Sequence, residues 1–193
     1  GLPAALTELP PGADDVGTRA DVAGAQFDTL AGTMNRGVPA SVLAVALFGV
    51  ALSQQGPTAG FVPWALATLS LIPLYFGVLR PLHRRWSADG RFAALSMVYT
   101  VYSGVFGAAW GTASVLFFEA EPLRLTTLAI MVLGNITATA VAATAHLPTT
   151  YALASALVLP FAVRAGFSGI PVAMLAAAAL LLVVGVVVVY ARS

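Results

Sequence analysis

The sequence predicts an all-α, polytopic membrane protein of six transmembrane helices with both termini in the cytoplasm, preceded by a short amphipathic helix. Three observations lead there. Hydrophobic residues make up 59% of the 193-residue chain and charged residues only 9%, whereas a soluble domain carries roughly 25% charged residues to face water. The mean hydropathy is +0.91. Six long apolar stretches, separated by turn signals, occupy nearly everything after residue 37.

Residues 1–18 are rich in Pro, Gly and Asp, with too little apolar surface to order themselves, and read as a disordered segment. They lack the basic n-region and adjoining apolar run of a signal peptide. Over residues 19–37, Ala23, Phe27, Leu30 and Met34 recur at helical spacing, with Asp21 and Asp28 off that stripe. This juxtamembrane helix either lies on the inner membrane surface or extends the first span into the cytoplasm.

The six-helix transmembrane domain covers residues 38–193. Its spans are Val38 to Gln54, Phe61 to Leu79, Phe92 to Phe118, Leu125 to Ala145, Tyr151 to Ala165 and Pro171 to Tyr190; crossing about 30 Å of hydrocarbon takes roughly 20 apolar residues. The first and fifth are short and the third is long, which tilt absorbs. Gln55-Gly56-Pro57, Pro122, Pro148 and the stretch from Gly166 to Gly169 supply the turns. Pro39 and Pro171 fall where a helix is expected to begin, a position at which the missing N–H costs nothing. Pro73 and Pro160 fall inside spans, where each deletes a backbone hydrogen bond and predicts a kink.

Orientation follows from arginine, the only strongly basic residue type present. The segment Arg80-Pro-Leu-His83-Arg84-Arg85-Trp86 with Arg91 reads as a basic loop, whereas Glu119-Ala-Glu121 with Arg124 reads as an acidic one. The positive-inside rule places the first in the cytoplasm. Arg36 and Arg192 agree with both termini there; Arg124 and Arg164 are the exceptions.

The absences exclude function classes. Without cysteine there are no disulfides, thiolate metal sites or cysteine nucleophiles. The net charge of +1 is spread among loops and gives no nucleic-acid footprint. There is no Gly-rich phosphate loop, His-Glu zinc spacing or serine elbow, so these 193 residues hold no catalytic constellation. None of the six spans contains a carboxylate, which argues against a proton relay within the membrane. His83 and His146 have no cysteine or carboxylate beside them in the sequence, too little for a metal or haem site. No cofactor and no metal is expected.

The third span carries Ser103, Gly107 and Gly111 four apart, with Gly104, Ala108 and Thr112 as a parallel row. Small residues in such rows let another helix approach closely. The candidate ligand-contacting residues are Asn135, Trp110, Arg164, Tyr99 and Tyr102, and each has a structural reading beside the functional one. Tyr99, Tyr102 and Trp110 serve as interfacial anchors, or Trp110 walls a shallow pocket. Asn135, followed by Thr137, Thr139 and Thr144, is interhelical glue or a contact to a polar ligand group. Arg164 snorkels to headgroups or holds an anion.

The stretch "SGVFGAAWGTASVLFF" (Ser103 to Phe118) and the stretch "VLGNITATAVAATAHLPTTYALASALVLPFAVR" (Val132 to Arg164) resemble the six-helix N-terminal membrane region of bacterial sensor histidine kinases and GGDEF/EAL cyclic-di-GMP enzymes. Ala25-Gln26 and Leu30 ahead of the first span are similar to that group as well, while Asn135 stands where the group has a small residue. The resemblance implies a homodimeric input domain of the bacterial inner membrane, running from about residue 20 to the end. Its last helix would continue beyond Ser193 into a cytoplasmic output domain, a histidine kinase or a diguanylate cyclase/phosphodiesterase. The expected partners are the lipid bilayer, that output domain and a small hydrophobic ligand, with no nucleic acid. A small membrane transporter or channel subunit is the competing expectation; of the repeat symmetry common in transporters, only the paired prolines Pro73 and Pro160 are present.

Overall fold

The structure, a computed structural model, describes residues 13–56, 59–119, 121–143 and 146–190; side chains at 13–20, 137–143, 187, 188 and 190 lie outside the description. Among the described residues the chain is all helical, with no strand. The helices are α1 (Ala13–Ser53), α2 (Phe61–Leu74), α3 (Arg80–Ala88), α4 (Phe92–Leu116), α5 (Pro122–Ala143), α6 (Leu147–Gly166) and α7 (Pro171–Tyr190). A π-helical turn, Tyr75–Leu79, joins α2 to α3. Four helical stretches are long and apolar enough to cross a membrane: Asp21–Ser53, Phe61–Ala88, Phe92–Leu116 and Leu147–Gly166. Pro122–Ile136 and Pro171–Val186 are apolar but shorter within the described residues. Leu175, Leu182, Val172, Leu66 and Met97 turn outward, as helix faces do when the solvent is lipid.

Several expectations are corrected. Of the two readings of residues 19–37, a separate surface helix does not hold and an extension of the first span does: they form the first half of a continuous α1, whose second half is the first apolar stretch. Its stripe does not lie free: Phe27 and Leu30 are buried against Tyr75, Leu79, Leu95 and Tyr99. Residues 13–18, expected to be disordered, belong to this helix; residues 1–12 lie outside the described residues. Pro39 stands inside α1 and not at a helix start. Its missing N–H frees the Asn35 carbonyl, and its neighbour Gly37 is a weak helix former, so α1 is softest at its midpoint.

The basic segment Arg80 to Trp86 is helical and not a loop: α2, the π turn and α3 run on without a break from Phe61 to Ala88. Pro81, at the start of α3, accounts for the π turn before it: its missing N–H and its ring displace the Gly77 carbonyl four residues back, and one widened turn, with the Arg80 N–H on the Tyr75 carbonyl, absorbs this. The carbonyl freed by Pro73 is that of Leu69, upstream of the turn. The turn Asp89–Gly90 then reverses the chain, with Gly90 at φ 67°.

The helices pack around a tight contact of α4 against α6. A Cβ built on Gly107 would lie 2.5 Å from the Leu153 carbonyl oxygen, and one on Gly111 would lie 2.5 Å from that of Ala156. Gly104 is looser, 3.7 Å from the Ala152 Cβ, and Ser103 is buried in the same face. Around this contact lie two clusters. One gathers Phe48, Leu52, Trp64, Trp110 and Phe117 near the α1–α2 turn, and the other gathers Phe27, Leu30, Tyr75, Leu79 and Tyr99 near α3. α1 contributes to both and so is fastened at each end.

Because the obstruction at both glycines is backbone, Gly107→Ala and Gly111→Ala should each destabilise the protein by about 1–3 kcal/mol. Gly32→Ala, whose Cβ meets nothing within 4 Å, should be neutral or slightly stabilising. Thermal unfolding in detergent measures this, and equal melting temperatures for Gly107→Ala and Gly32→Ala would show that the backbones separate freely.

Candidate functional site

Between the two ends of α1 lies a cavity of 610 Å³, walled by α1, the α2 end with its π turn, α4, α5 and α6. Its origin is visible in the sequence of its walls. α1 presents Gly37, Ala40, Ser41 and Ala44, and opposite them stand Ser103 and Gly107 of α4 and Gly134 of α5. Small residues facing small residues leave space that the helix backbones, held apart by the large aromatic groups at either end, do not close. Size places it within the range of about 300–1,000 Å³ common to ligand sites.

The wall is apolar apart from a few groups, and among the described lining residues none is charged. Tyr102 donates its O–H to the Leu71 carbonyl at 3.0 Å, and Tyr75 donates to the Ala31 carbonyl at 3.1 Å, so both phenols are spent on tying helices together. Asn135 Nδ2 donates to the Met131 carbonyl at 2.9 Å, one turn back on its own helix. Ser103 and Trp110 differ. Each is 1% exposed, and the Ser103 Oγ and Trp110 Nε1 find no hydrogen-bond partner among the described residues. Both atoms are sealed among the helices and not presented at the cavity surface, and an unmet donor so placed costs the fold about 1–3 kcal/mol. The nearby Trp64, by contrast, donates Nε1–H to the Ala109 carbonyl at 2.8 Å.

Of the residues singled out from sequence, Trp110, Tyr102, Asn135, Ser103 and Gly107 line the cavity together. Tyr99 and Arg164 do not. Arg164 is exposed and lies over the Phe118 ring, 5.1 Å from its centroid. Gly104 and Gly111 face α6. The side chains of Thr137, Thr139 and Thr144 lie outside the described residues.

Tyr99 belongs to a second constellation, at the α3 end, that sequence reasoning missed. His83 Nε2 lies 2.9 Å from Asp28 Oδ1, and His83 Nδ1 lies 3.2 Å from Tyr99 Oη. The carboxylate can only accept, so Nε2 carries the proton, and Nδ1 accepts from the phenol. Three helices, α1, α3 and α4, are thereby linked through one imidazole. Beside it, His146 caps α6: its Nδ1 receives the Thr149 N–H at 3.4 Å and the Thr149 hydroxyl at 2.7 Å, while Nε2 lies 3.0 Å from Ser96 Oγ. The Phe27 ring packs on it at 5.1 Å. The partners are separated by 55 residues for Asp28–His83 and 50 for Ser96–His146, and no local spacing announces such pairs. No group of three or more metal-ligating side chains occurs among the described residues. At the opposite end Arg124, only 6% exposed, bonds Glu119 and donates to the Gln55 carbonyl at 2.8 Å, joining α5 to the end of α1.

No protein-family model, no curated protein and no solved structure matches the chain.

Burial pushes the His146 imidazole below its ordinary value of 6.5. The sign follows: a base whose folded pKa is lowered binds protons better when unfolded, so its contribution is complete above about pH 6.5 and is lost as pH falls below that. Protonation would also turn Nδ1 from the acceptor of the α6 cap into a donor. The melting temperature should therefore drop between about pH 7.5 and about pH 5, and drop less in His146→Asn, since asparagine caps a helix without titrating. An identical drop in both proteins would place the titration elsewhere.

Proposed function

We propose that the chain is a membrane-embedded sensory input domain in which a small hydrophobic molecule, met within the bilayer, shifts the packing of α1 against α4 and α6. The single observation carrying this reading is the uncharged, apolar cavity that α1 crosses between the two clusters fastening its ends. The mechanics support it. α1 is fixed at both ends by aromatic clusters but crosses the cavity at Gly37 to Pro39, where glycine and proline weaken the helix, so filling the cavity bears on that segment. Movement of α1 is passed on through Asp28 to His83 of α3 and Tyr99 of α4. A two-state shift of this kind needs only a ligand that binds one packing better than the other.

In this reading all six apolar segments cross a bacterial inner membrane, N-terminus and C-terminus inside. The exposed arginines of α3 mark the cytoplasmic side. Arg124, the chief exception to that rule, is offset by Glu119. Two copies associate, and α7 leads into a histidine kinase or cyclic-di-GMP output domain, as the sequence resemblance implies.

Two measurements test the proposal together: output activity of the natural gene product in membranes, and solute uptake by the six-helix region in liposomes. Asn135→Leu, at the cavity wall, should shift output at least several-fold in one direction while the protein stays folded, because the substituted side chain leaves no donor of its own unpaired. Uptake that depends on Asn135, with unchanged output, would sink the sensor reading in favour of a transporter or channel subunit. For orientation, cysteines replacing Ser87 and Gly56 should be labelled by an impermeant thiol reagent in intact cells only at Gly56, and labelling at Ser87 would reverse the topology.

A further inference from the structure

The arginines of the chain are held in two different ways. Arg124 is buried and spends its charge on Glu119 and on the Gln55 carbonyl. α3, by contrast, carries Arg80, Arg84 and Arg85 and no acidic residue over its 9 residues. All three are exposed, and none of them forms an ion pair among the described residues. Cations gathered on one short helix raise the local potential and draw an anion from outside the chain.

Depth in the membrane narrows the choice of anion. The apolar run Phe61–Leu79 is about 28 Å of helix at about 1.5 Å per residue, close to the hydrocarbon depth of about 30 Å. Because the helix continues without a break, Arg80 stands where the hydrocarbon ends. Arg84 stands about 6 Å further out, within a headgroup layer that is itself about 5–7 Å deep. Both guanidinium groups are thereby set at the level of lipid phosphates.

The side chains then distinguish one face. An arginine at the end of a membrane helix ordinarily reaches outward to water. Arg80 leans the other way: its guanidinium lies over the Phe76 ring, 5.8 Å from the centroid, one turn back towards the membrane, where the ring's negative face holds it. Arg84, four residues on, shares its face of the helix, whereas Arg85 points elsewhere. Phe76 is partly exposed, and beside it a Cβ built on Gly77 meets nothing within 4 Å, so apolar surface continues inward from the two charges.

A guanidinium meets phosphate oxygens through paired N–H donors. In a zwitterionic lipid the ammonium of the headgroup already balances that phosphate; a lipid of net negative charge brings one that is unbalanced. We infer that the Phe76–Arg80–Arg84 face is a site for one anionic phospholipid, its phosphate at Arg80 and Arg84 and its acyl chains running inward along Phe76 and Gly77. Only the passage of this helix through a membrane is required, and neither the cavity nor a sensory role enters.

Native mass spectrometry of the purified chain in detergent, with phosphatidylglycerol and phosphatidylcholine of identical acyl chains, reads the site. One phosphatidylglycerol per chain should be retained at least about tenfold more tightly than phosphatidylcholine, the margin that two arginines at a lipid phosphate supply. Arg80→Gln and Arg84→Gln should each remove most of that preference, whereas Arg85→Gln should change it less than about twofold. These side chains are exposed and outside any ion pair among the described residues, so the variants keep the native helix content and elution volume. Gly77→Leu, which fills the space beside Phe76, should weaken retention of phosphatidylglycerol several-fold. Glycerophosphoglycerol, the same headgroup without acyl chains, should fail to displace the lipid at equal concentration. Equal retention of the two lipids, an effect of Arg85→Gln as large as that of Arg84→Gln, or unchanged retention by Gly77→Leu would overturn the inference. Displacement by the free headgroup would overturn it too, and would mark a site for soluble anions instead.

Discussion

The contact of α4 with α6 at Gly107 and Gly111 governs the rest of the structure. Within a bilayer the hydrophobic effect does not press helices together, because lipid tails are as apolar as leucine, and association falls to close packing and to polar groups that must be met. Two glycines whose Cα atoms sit under the carbonyls of Leu153 and Ala156 bring these helices closer than any side chain would permit. They hold α4 and α6 tightly together. The other helices meet that pair: α7 packs on α6 and α5, α5 on α6 and α4, and α1 on α5 and α4.

The same small residues that close one interface open another. On the face of α4 turned to α1, Ser103 and Gly107 offer little volume, and α1 replies with Gly37, Ala40 and Ser41. Only the aromatic groups at the ends reach across. A native interior would ordinarily fill such a gap, since a lining without partner atoms forfeits dispersion energy. Polar closure of the ends compensates: Asp28–His83–Tyr99 on one side, Arg124 with Glu119 and the Gln55 carbonyl on the other. The fold thus holds its central space open from its two extremities.

How much of this could be read from the sequence depended on the range of the interaction. The helical class and the turn at Gln55–Gly56 are local properties, and the apolar runs gave α4, α5, α6 and α7 to within a few residues, whereas Pro122 and Pro148, read as turns, stand in the first turns of α5 and α6. The errors were also local in origin. Pro39 and the arginines of the Arg80–Trp86 segment read as boundaries by their own preferences, yet the burial of Phe27 and Leu30 carries α1 through the first, and the burial of Leu79 and His83 carries helix through the second. Trp110, Tyr102 and Asn135 stood out because polar or amphipathic groups in apolar runs need partners, and they do share one cavity. The histidine pairings were invisible for the opposite reason: a lone His83 or His146 acquires meaning only when residues 50 or more positions away are brought beside it. Arg124 is the same case, a surface charge by sequence and a buried brace in space.

The unbroken run from Phe61 to Ala88 contains 28 residues, about 42 Å of helix at about 1.5 Å per residue, longer than the hydrocarbon depth of about 30 Å by roughly two fifths. Its inner portion is built into the bundle through Trp64 and Thr68, and its outer portion ends in Arg84 and Arg85. The π turn at Tyr75–Leu79 sits between them. Beyond it the helix is not a free end: Leu79 and His83 are buried, and His83 is held by Asp28 of α1 and Tyr99 of α4. The exposed Arg84 and Arg85 are therefore carried by whatever position α1 and α4 take, so that one imidazole fixes where the cationic end of a long helix stands.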